Sequence, residues 1–226
     1  MAVAQQPNII FIFADDLGAG EIGSGQFDGG IPTPAIDAIA KSGVTFSDGY
    51  VTASICSPSR SSALTGRYNQ KFGLYQNLNQ TPAPGIGLPT AAVTIAERLR
   101  KAGYATGMIG KWHLGVGQLH PMKQGFGEFL GMLHTDHPYY GEDQQNPVLR
   151  GYEPEPQPGY LTDAFAREAV SFIHRHAAQP FFLYMAPNAV HTPYQATPDQ
   201  LAAVPASVTG DERRVYAAVL MGFRDS

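Results

Sequence analysis

The fold is decided by Asn8-Ile9-Ile10-Phe11-Ile12-Phe13-Ala14, a continuous run of apolar, β-branched and aromatic residues that stops at Asp15-Asp16. A run of this kind predicts a strand that is covered on both faces, as strands of a parallel sheet are. The two carboxylates follow where the strand ends, which is the edge at which open parallel sheets bind their ligands. This stretch therefore predicts a sheet and a candidate site at its carboxyl end.

The remainder of the chain alternates between helical and strand patterns. Helices are predicted at residues 34–41, 94–102 and 162–176, and strands at residues 104–109 and 181–185. Residues 44–51 predict a second strand or an extended segment, which would complete a first strand–helix–strand unit. Thr94 and Glu97 have the spacing of a capping box, which supports the helix that follows them. The alternation predicts an α/β sandwich around a mainly parallel sheet.

The composition excludes several classes of protein. The 226 residues carry 15 Lys and Arg against 19 Asp and Glu, a formal charge of −4, with no long run of either sign. A nucleic-acid partner is therefore not expected. No apolar stretch approaches the roughly 20 residues needed to cross a bilayer. The chain has a single cysteine, so no intrachain disulfide is possible.

The first residues bear on localisation. Ala2-Val3-Ala4 is similar to the residues around a cleaved export signal. This pattern predicts a protein exported to the periplasm or the extracellular space, with its leader removed or absent from this sequence. A cytoplasmic location stays open.

Asp15 and Asp16 are candidate metal ligands. Two adjacent carboxylates repel each other, and hard oxygen ligands suit Ca²⁺ or Mg²⁺ better than zinc. The alternative is an ordinary turn in which one aspartate caps the next element.

Cys56 lies in the most informative motif of the chain, Cys56-Ser57-Pro58-Ser59-Arg60, which is followed by Ser61-Ser62-Ala63-Leu64-Thr65-Gly66-Arg67. Pro58 is placed to begin a helix and Gly66 to end it, so Cys56 is expected at a helix N-terminus. Backbone donors and the helix dipole attract anions there. The alternative is a buried, inert thiol.

With Cys56, Pro58, Arg60 and Leu64-Thr65-Gly66, the chain resembles the type I sulfatases, the formylglycine-dependent branch of the alkaline-phosphatase-like superfamily. Three further segments are similar to the family's first strand and metal pair, its second signature and its histidine loop: residues 7–18, 110–115 and 186–194. The resemblance implies that residues 1–226 are the N-terminal part of a catalytic α/β domain, truncated before the later strands and the C-terminal domain.

The resemblance also implies a mechanism. A formylglycine-generating or anaerobic maturation enzyme would oxidise Cys56 to formylglycine, whose hydrated diol attacks the sulfur of a sulfate ester. Divalent metal, with Ca²⁺ favoured over Mg²⁺, would be bound by Asp15, Asp16 and the diol at position 56. The implied catalytic residues are Cys56, Arg60, Lys111, His113 and His191. Among them, Lys111 and His191 would contact the sulfate.

Three of these residues can also be interpreted without the resemblance. In an extended segment Lys111 and His113, two apart, point to the same face, so a cation and an imidazole converge on one anionic group. Taken without the resemblance, Lys111 is a solvated loop lysine and His113 a hydrogen-bonded core histidine. His191 by itself is uninformative.

The chain departs from the family pattern near its C-terminus. It contains no Asp-Asn dipeptide, the pair that completes the metal ligands in full members, and a later lysine is also absent. Two alternatives to a sulfatase stay open. One is a phosphonate or phosphate diester hydrolase of the same superfamily, because some of these enzymes use the same formylglycine motif. The other is an inactive metal- or anion-binding fragment, which the missing metal ligands favour. Glycan and aryl sulfate esters are not distinguished.

Overall fold

The structure, a computed structural model, describes residues 6–23, 30–79, 85–156 and 159–222. The Ala2–Ala4 segment that suggests a cleaved leader lies outside these ranges. No helix within them has both the length and the apolar character needed to cross a membrane.

The described residues form one six-stranded sheet with helices on both faces. The strands are β1 Ile9–Ile12, β2 Ala105–Lys111, β3 Glu128–Met132, β4 Leu149–Arg150, β5 Glu153–Pro154 and β6 Phe181–Ala186. The α-helices are α1 Pro34–Ser42, α2 Cys56–Thr65, α3 Ile95–Lys101, α4 Leu161–Arg175, α5 Pro198–Ala203 and α6 Asp211–Gly222. The strand order is β1-β6-β2-β3-β4-β5. The first four strands are parallel and the last two pair antiparallel, which confirms a mainly parallel sheet.

Local signals fix the ends of two helices. The Thr94 hydroxyl accepts a hydrogen bond from the Glu97 amide at 3.1 Å, and a Glu97 carboxylate oxygen accepts one from the Thr94 amide at 2.7 Å. The predicted capping box of α3 is therefore confirmed. Helix α2 ends at Gly66, which adopts the left-handed conformation with φ 65°.

One face of the sheet packs against α2 and α3. Leu64 of α2 and Ala96 of α3 belong to the same buried cluster as Met108, Phe182 and Tyr184 of the central strands. Alternation along a strand sends successive side chains to opposite faces. The other residues of these strands therefore need a second covering layer.

Helix α4 supplies that second layer. Its residues Phe165 and Phe172 share a buried cluster with Ile109, Leu130 and Leu183 of the sheet. The sheet is therefore enclosed between helices on both faces, and the predicted α/β sandwich is confirmed.

Strand β1 differs from its prediction. Within the described ranges it pairs only with β6 and lies at one edge of the sheet. Ile10 and Ile12 are each 47% exposed, so the expectation of a strand covered on both faces is wrong. The physical reason is that no element of the described chain packs against this side of β1.

Residues 44–51 form no strand in the structure. Val44, Phe46, Tyr50 and Val51 are exposed. The strand–helix–strand unit predicted for the first fifty residues is therefore wrong, since the parallel neighbour of β1 is β6, from much later in the chain.

A network of ion pairs joins α4 to β3 and β4. Glu168 pairs with Arg150 at 3.0 Å and with Arg175 at 2.7 Å, and Arg175 also pairs with Glu128 at 2.6 Å. We expect Glu168→Gln to lower the free energy of unfolding by about 0.5–1 kcal/mol, because the pairs are partly exposed. Urea denaturation at low and high salt measures this effect, which screening should reduce. The exposed Glu142→Gln is the control, and an equal loss there would contradict the prediction.

Candidate active site

Cys56 lies at the first turn of α2, as its flanking residues predict. The helix begins at Cys56, after the extended residue Ile55. The thiol is buried, with 8% of the residue exposed, and its Sγ lies 3.5 Å from Lys111 Nζ. A cation beside the sulfur at a helix N-terminus is not the environment of an inert core thiol.

Asp15 forms ion pairs with the two buried cationic side chains of the site, Arg60 and Lys111. One carboxylate oxygen accepts a hydrogen bond from Arg60 at 2.9 Å, and the other accepts one from Lys111 at 2.6 Å. A second Arg60 donor is bonded to the Lys111 carbonyl at 2.8 Å. Burial alone would raise the pKa of Asp15, but the charges of Arg60 and Lys111 outweigh it and hold that pKa well below its usual range. Asp15 is therefore ionised at neutral pH.

His191 approaches the same cluster from the loop after β6. This loop is joined to the Asp15 backbone, since the Val190 amide donates to the Asp15 carbonyl at 2.8 Å. A His191 ring nitrogen, Cys56 Sγ and an Asp15 carboxylate oxygen lie within 4.8 Å of one another. A hydrogen bond with Cys56 raises the pKa of His191 above its ordinary value, although burial opposes the shift.

Asp16 has different surroundings from its neighbour. Its side chain is 60% exposed, and its Oδ2 lies 3.7 Å from His191 Nε2. Asp15, Asp16 and Cys56 all line one cavity of about 210 Å³. The two carboxylates are hard oxygen donors, which fits a divalent cation of the Ca²⁺ or Mg²⁺ class. Because Ca²⁺ takes six to eight oxygens, these residues supply only part of a ligand set.

His113 lies two residues beyond Lys111, but not in an extended segment. Its φ of 52° is left-handed, so the simple alternation expected from Lys111 to His113 is wrong. Its Nε2 donates to the Leu78 carbonyl at 3.0 Å. Burial, followed by the charge of Lys111, lowers the pKa of His113 to about 3.

The loop at Asn77 and Leu78 was not indicated by any sequence motif. The Asn77 side chain accepts from the Ser57 amide at 2.9 Å, and the Leu78 amide donates to the Ser57 hydroxyl at 3.2 Å. The Leu78 carbonyl of the same loop accepts the hydrogen bond from His113 Nε2. It therefore links the first turn of the Cys56 helix to the histidine, through contacts between segments far apart in sequence.

We expect His113 to stay neutral, with its proton on Nε2, from pH 8 down to about pH 4. Its Nδ1 is buried and has no hydrogen-bond partner among the residues that the structure describes. Nitrogen-15 NMR of histidine-labelled protein measures the tautomer, with His113→Asn assigning the signal. Because the folded pKa lies below the usual 6.5, the His113 contribution to stability is present above pH 6.5 and is lost as the pH falls toward 3. A ring signal that titrates near pH 6.5 would contradict this prediction.

The buried Tyr184 is another residue that the sequence did not single out. Its pKa is raised to about 12, chiefly by burial, and Arg60 and Asp15 contribute opposing electrostatic effects. The hydroxyl is thus a neutral group beside the Arg60–Asp15 pair.

Comparison with known proteins identifies the family of this chain. The sulfatase family model matches residues 7–220, which is nearly the whole chain. The chain belongs to the sulfatase family. Its match includes the strand with the two aspartates, the Cys56 helix, the Lys111 segment and the His191 loop.

This sulfatase chain is 39% identical to arylsulfatase A of Bos taurus over 220 residues, which cover 85% of the chain and 43% of the relative. It is 36% identical to N-acetylgalactosamine-6-sulfatase of Homo sapiens, over 85% of the chain and 41% of the relative. Among solved structures, Ps i-CgsB in complex with k-i-k-neocarrahexaose has a TM-score of 0.91 at 38% identity, over 97% of this chain and 52% of that one. The sulfatase chain thus spans about half the length of these proteins.

Proposed function

We propose that this chain, or the longer protein to which it belongs, hydrolyses sulfate monoesters with residue 56 as its nucleophile. The observation that carries the proposal is the Cys56 side chain at the first turn of α2, beside Lys111, His191 and Asp15. Oxidation of Cys56 to formylglycine by a formylglycine-generating or anaerobic maturation enzyme would supply a geminal diol in place of the thiol.

The charged and titratable residues around Cys56 have different proposed roles. Lys111 and His191 would contact the sulfate, because both lie close to Cys56 and can donate hydrogen bonds to the sulfate oxygens. His191 is the candidate proton donor to the leaving alcohol, because its ring lies beside residue 56. His113 would orient the diol, because its Nδ1 has no hydrogen-bond partner in the described part of the chain and can accept a hydrogen bond.

Arg60 would act mainly through its neighbours. Two of its donors are engaged by Asp15 and the Lys111 carbonyl. Its Nε has no hydrogen-bond partner in the described part of the chain, which leaves one donor for an oxygen on residue 56. Arg60 would therefore fix both Asp15 and the nucleophile.

Asp15, Asp16 and the modified residue 56 would hold a divalent cation. Ca²⁺ is favoured over Mg²⁺ because it accepts a larger and less regular set of oxygens. When bound, the cation would offset the negative charge of the transferring group.

The substrate would be the sulfate ester of a sugar or of an aryl alcohol. Relatives named as arylsulfatases and a similar structure in complex with k-i-k-neocarrahexaose support this class without separating its two members. Export to the periplasm or extracellular space stays a prediction, and so does the assignment of residues 1–226 to the N-terminal part of the catalytic domain.

Mass spectrometry after co-expression with a maturation enzyme tests the modification. Trypsin releases the peptide from Ser42 to Arg60, which contains Cys56. We expect an aldehyde at position 56 that resists thiol alkylation. A cysteine that is alkylated in every preparation would contradict the proposed nucleophile.

The converted chain is then assayed on an aryl sulfate and on an aryl phosphodiester or phosphonate. Multiple turnovers of the sulfate support the proposal. Turnover of only the diester would establish the phosphonate or phosphate diester hydrolase instead. Metal or anion binding without turnover would establish the inactive fragment.

A further inference from the structure

In the unmodified site, a sulfur, a nitrogen and an oxygen that could each bind a metal ion lie close together. The proposed Ca²⁺ or Mg²⁺ site does not use all three of these atoms. Cys56 Sγ, a His191 ring nitrogen and an Asp15 carboxylate oxygen lie within 4.8 Å of one another. Thiolate, imidazole and carboxylate are the ligands of Zn²⁺ in proteins. Bond lengths near 2.0–2.3 Å place tetrahedral ligand atoms about 3.3–3.8 Å apart. A contraction of about 1 Å would bring the three donors to that spacing.

The His191 ring is already oriented as a metal ligand. Its Nδ1 donates to the Thr192 carbonyl at 2.6 Å. A neutral imidazole with its proton on Nδ1 presents a lone pair at Nε2. Metal-binding histidines are commonly held in this way, with the second ring nitrogen bonded to a backbone carbonyl.

A fourth ligand is close to the same nitrogen. Asp16 Oδ2 lies 3.7 Å from His191 Nε2, and its side chain is mostly exposed. The exposed carboxylate can move toward an ion at little cost in packing. Either Asp16 or a water molecule would then complete four-coordination.

Lys111 opposes the ion electrostatically. Its Nζ lies 2.6 Å from an Asp15 oxygen and 3.5 Å from Cys56 Sγ, so it competes for two of the three donors. Arg60 donates a hydrogen bond to the other Asp15 carboxylate oxygen and offsets its negative charge. The positive charges of Lys111 and Arg60 lower the affinity of the site for a metal ion. A generic metal site would lack one consequence of this: the affinity should rise when Lys111 is removed.

We propose that the unmodified chain binds a cation of the Zn²⁺ class through Cys56 Sγ, His191 Nε2 and Asp15. On binding, the thiol S–H bond is broken, a metal–sulfur bond forms and one proton is released to the buffer. Conversion of Cys56 to an oxygen-bearing side chain removes the sulfur ligand and with it this site. The inference rests on the donor geometry alone and does not depend on the proposed hydrolysis.

The test uses the full chain with Cys56 shown by mass spectrometry to be a free thiol. Co²⁺ is the spectroscopic probe, and Zn²⁺ affinity is then measured by competition with a chelator of known strength. We expect one equivalent of Co²⁺ to produce a sulfur-to-cobalt charge-transfer band, which Zn²⁺ abolishes. Cys56→Ala should remove that band and weaken Zn²⁺ binding at least about 100-fold, and His191→Ala should weaken it at least about 10-fold.

Two further variants separate this site from adventitious binding and misfolding. Lys111→Gln is expected to tighten Zn²⁺ binding about 10-fold or more, because a competing charge is removed. Its circular dichroism is compared with that of the wild type. The exposed His174→Ala on α4 is the matched histidine control and should leave the affinity unchanged.

A cobalt spectrum without the charge-transfer band, or Zn²⁺ affinity that is equal in the wild type and Cys56→Ala, would overturn the proposal. Absence of sulfatase turnover does not bear on it, since every measurement is made on the unmodified chain. Conversely, a zinc site in the thiol form leaves the proposed hydrolysis to be decided by its own assay.

Discussion

Replacing Asp15 with asparagine is expected to lower the free energy of unfolding by about 3–5 kcal/mol, because it leaves two buried cations without their shared counter-ion. The side chains of Arg60 and Lys111 are fully buried, and Asp15 binds one with each carboxylate oxygen. An amide in the same place keeps one acceptor but no charge. Urea denaturation of metal-free protein at pH 7 measures the loss.

Asp16→Asn is the matched control for this prediction. It changes the adjacent residue in the same way, but at a side chain that is 60% exposed. We expect a change within about 0.5 kcal/mol. Equal losses in the two variants would show that Asp15 does not stabilise the cation cluster.

The pH dependence of the free energy of unfolding of the wild type also tests the contribution of Asp15. Because the folded pKa of Asp15 lies below its usual 3.8, its contribution is present above that pH and is lost as the pH falls toward the folded value. The stability of Asp15→Asn should therefore fall less steeply than that of the wild type below about pH 4. Parallel curves in this range would contradict the assignment.

Cys56→Ser is expected to reduce multiple turnover of an aryl sulfate by at least about 10³-fold relative to matured wild type, as loss of a nucleophile does in other enzymes. A serine hydroxyl at the first turn of α2 keeps the position and has one oxygen. It can displace the alcohol once, but it has no second hydroxyl with which to expel the sulfate. The variant should therefore accumulate one sulfate on the peptide from Ser42 to Arg60.

Intact-mass measurement after incubation with substrate detects the trapped ester. The substitution is close to isosteric, so circular dichroism of the variant should match that of the wild type. Undiminished turnover of the aryl sulfate by Cys56→Ser would show that residue 56 is not the nucleophile.

The helix that carries Cys56 was predictable because its signals are local. Pro58 within the first turn and Gly66 at the end need no information from the rest of the chain. The pairing of β1 with β6 was not predictable in the same way, since both strands read as apolar runs and the pattern does not specify neighbours. Residues 44–51 were misread for a related reason: apolar composition indicates a strand only where a partner strand is present.

The sequence predicted that Asp15, Lys111 and His191 lie near Cys56, but it did not predict the contacts among them. Adjacent aspartates look equivalent in the sequence, whereas Asp15 is enclosed by two cations and Asp16 faces solvent. His113 was placed by an alternation that assumes extended backbone, and a positive φ in a non-glycine residue is uncommon. Its hydrogen bond to Leu78 joins segments 35 residues apart, and no local pattern encodes that contact.

The uncovered side of β1 affects how this polypeptide behaves in concentrated solution. Among the described residues no second strand pairs with β1, and Ile10 and Ile12 on it are half exposed, so strands from other molecules can pair at this edge. Self-association should therefore grow with protein concentration, so light scattering across a dilution series belongs before any titration. A synthetic β-strand peptide added in excess would compete with that association by capping this edge.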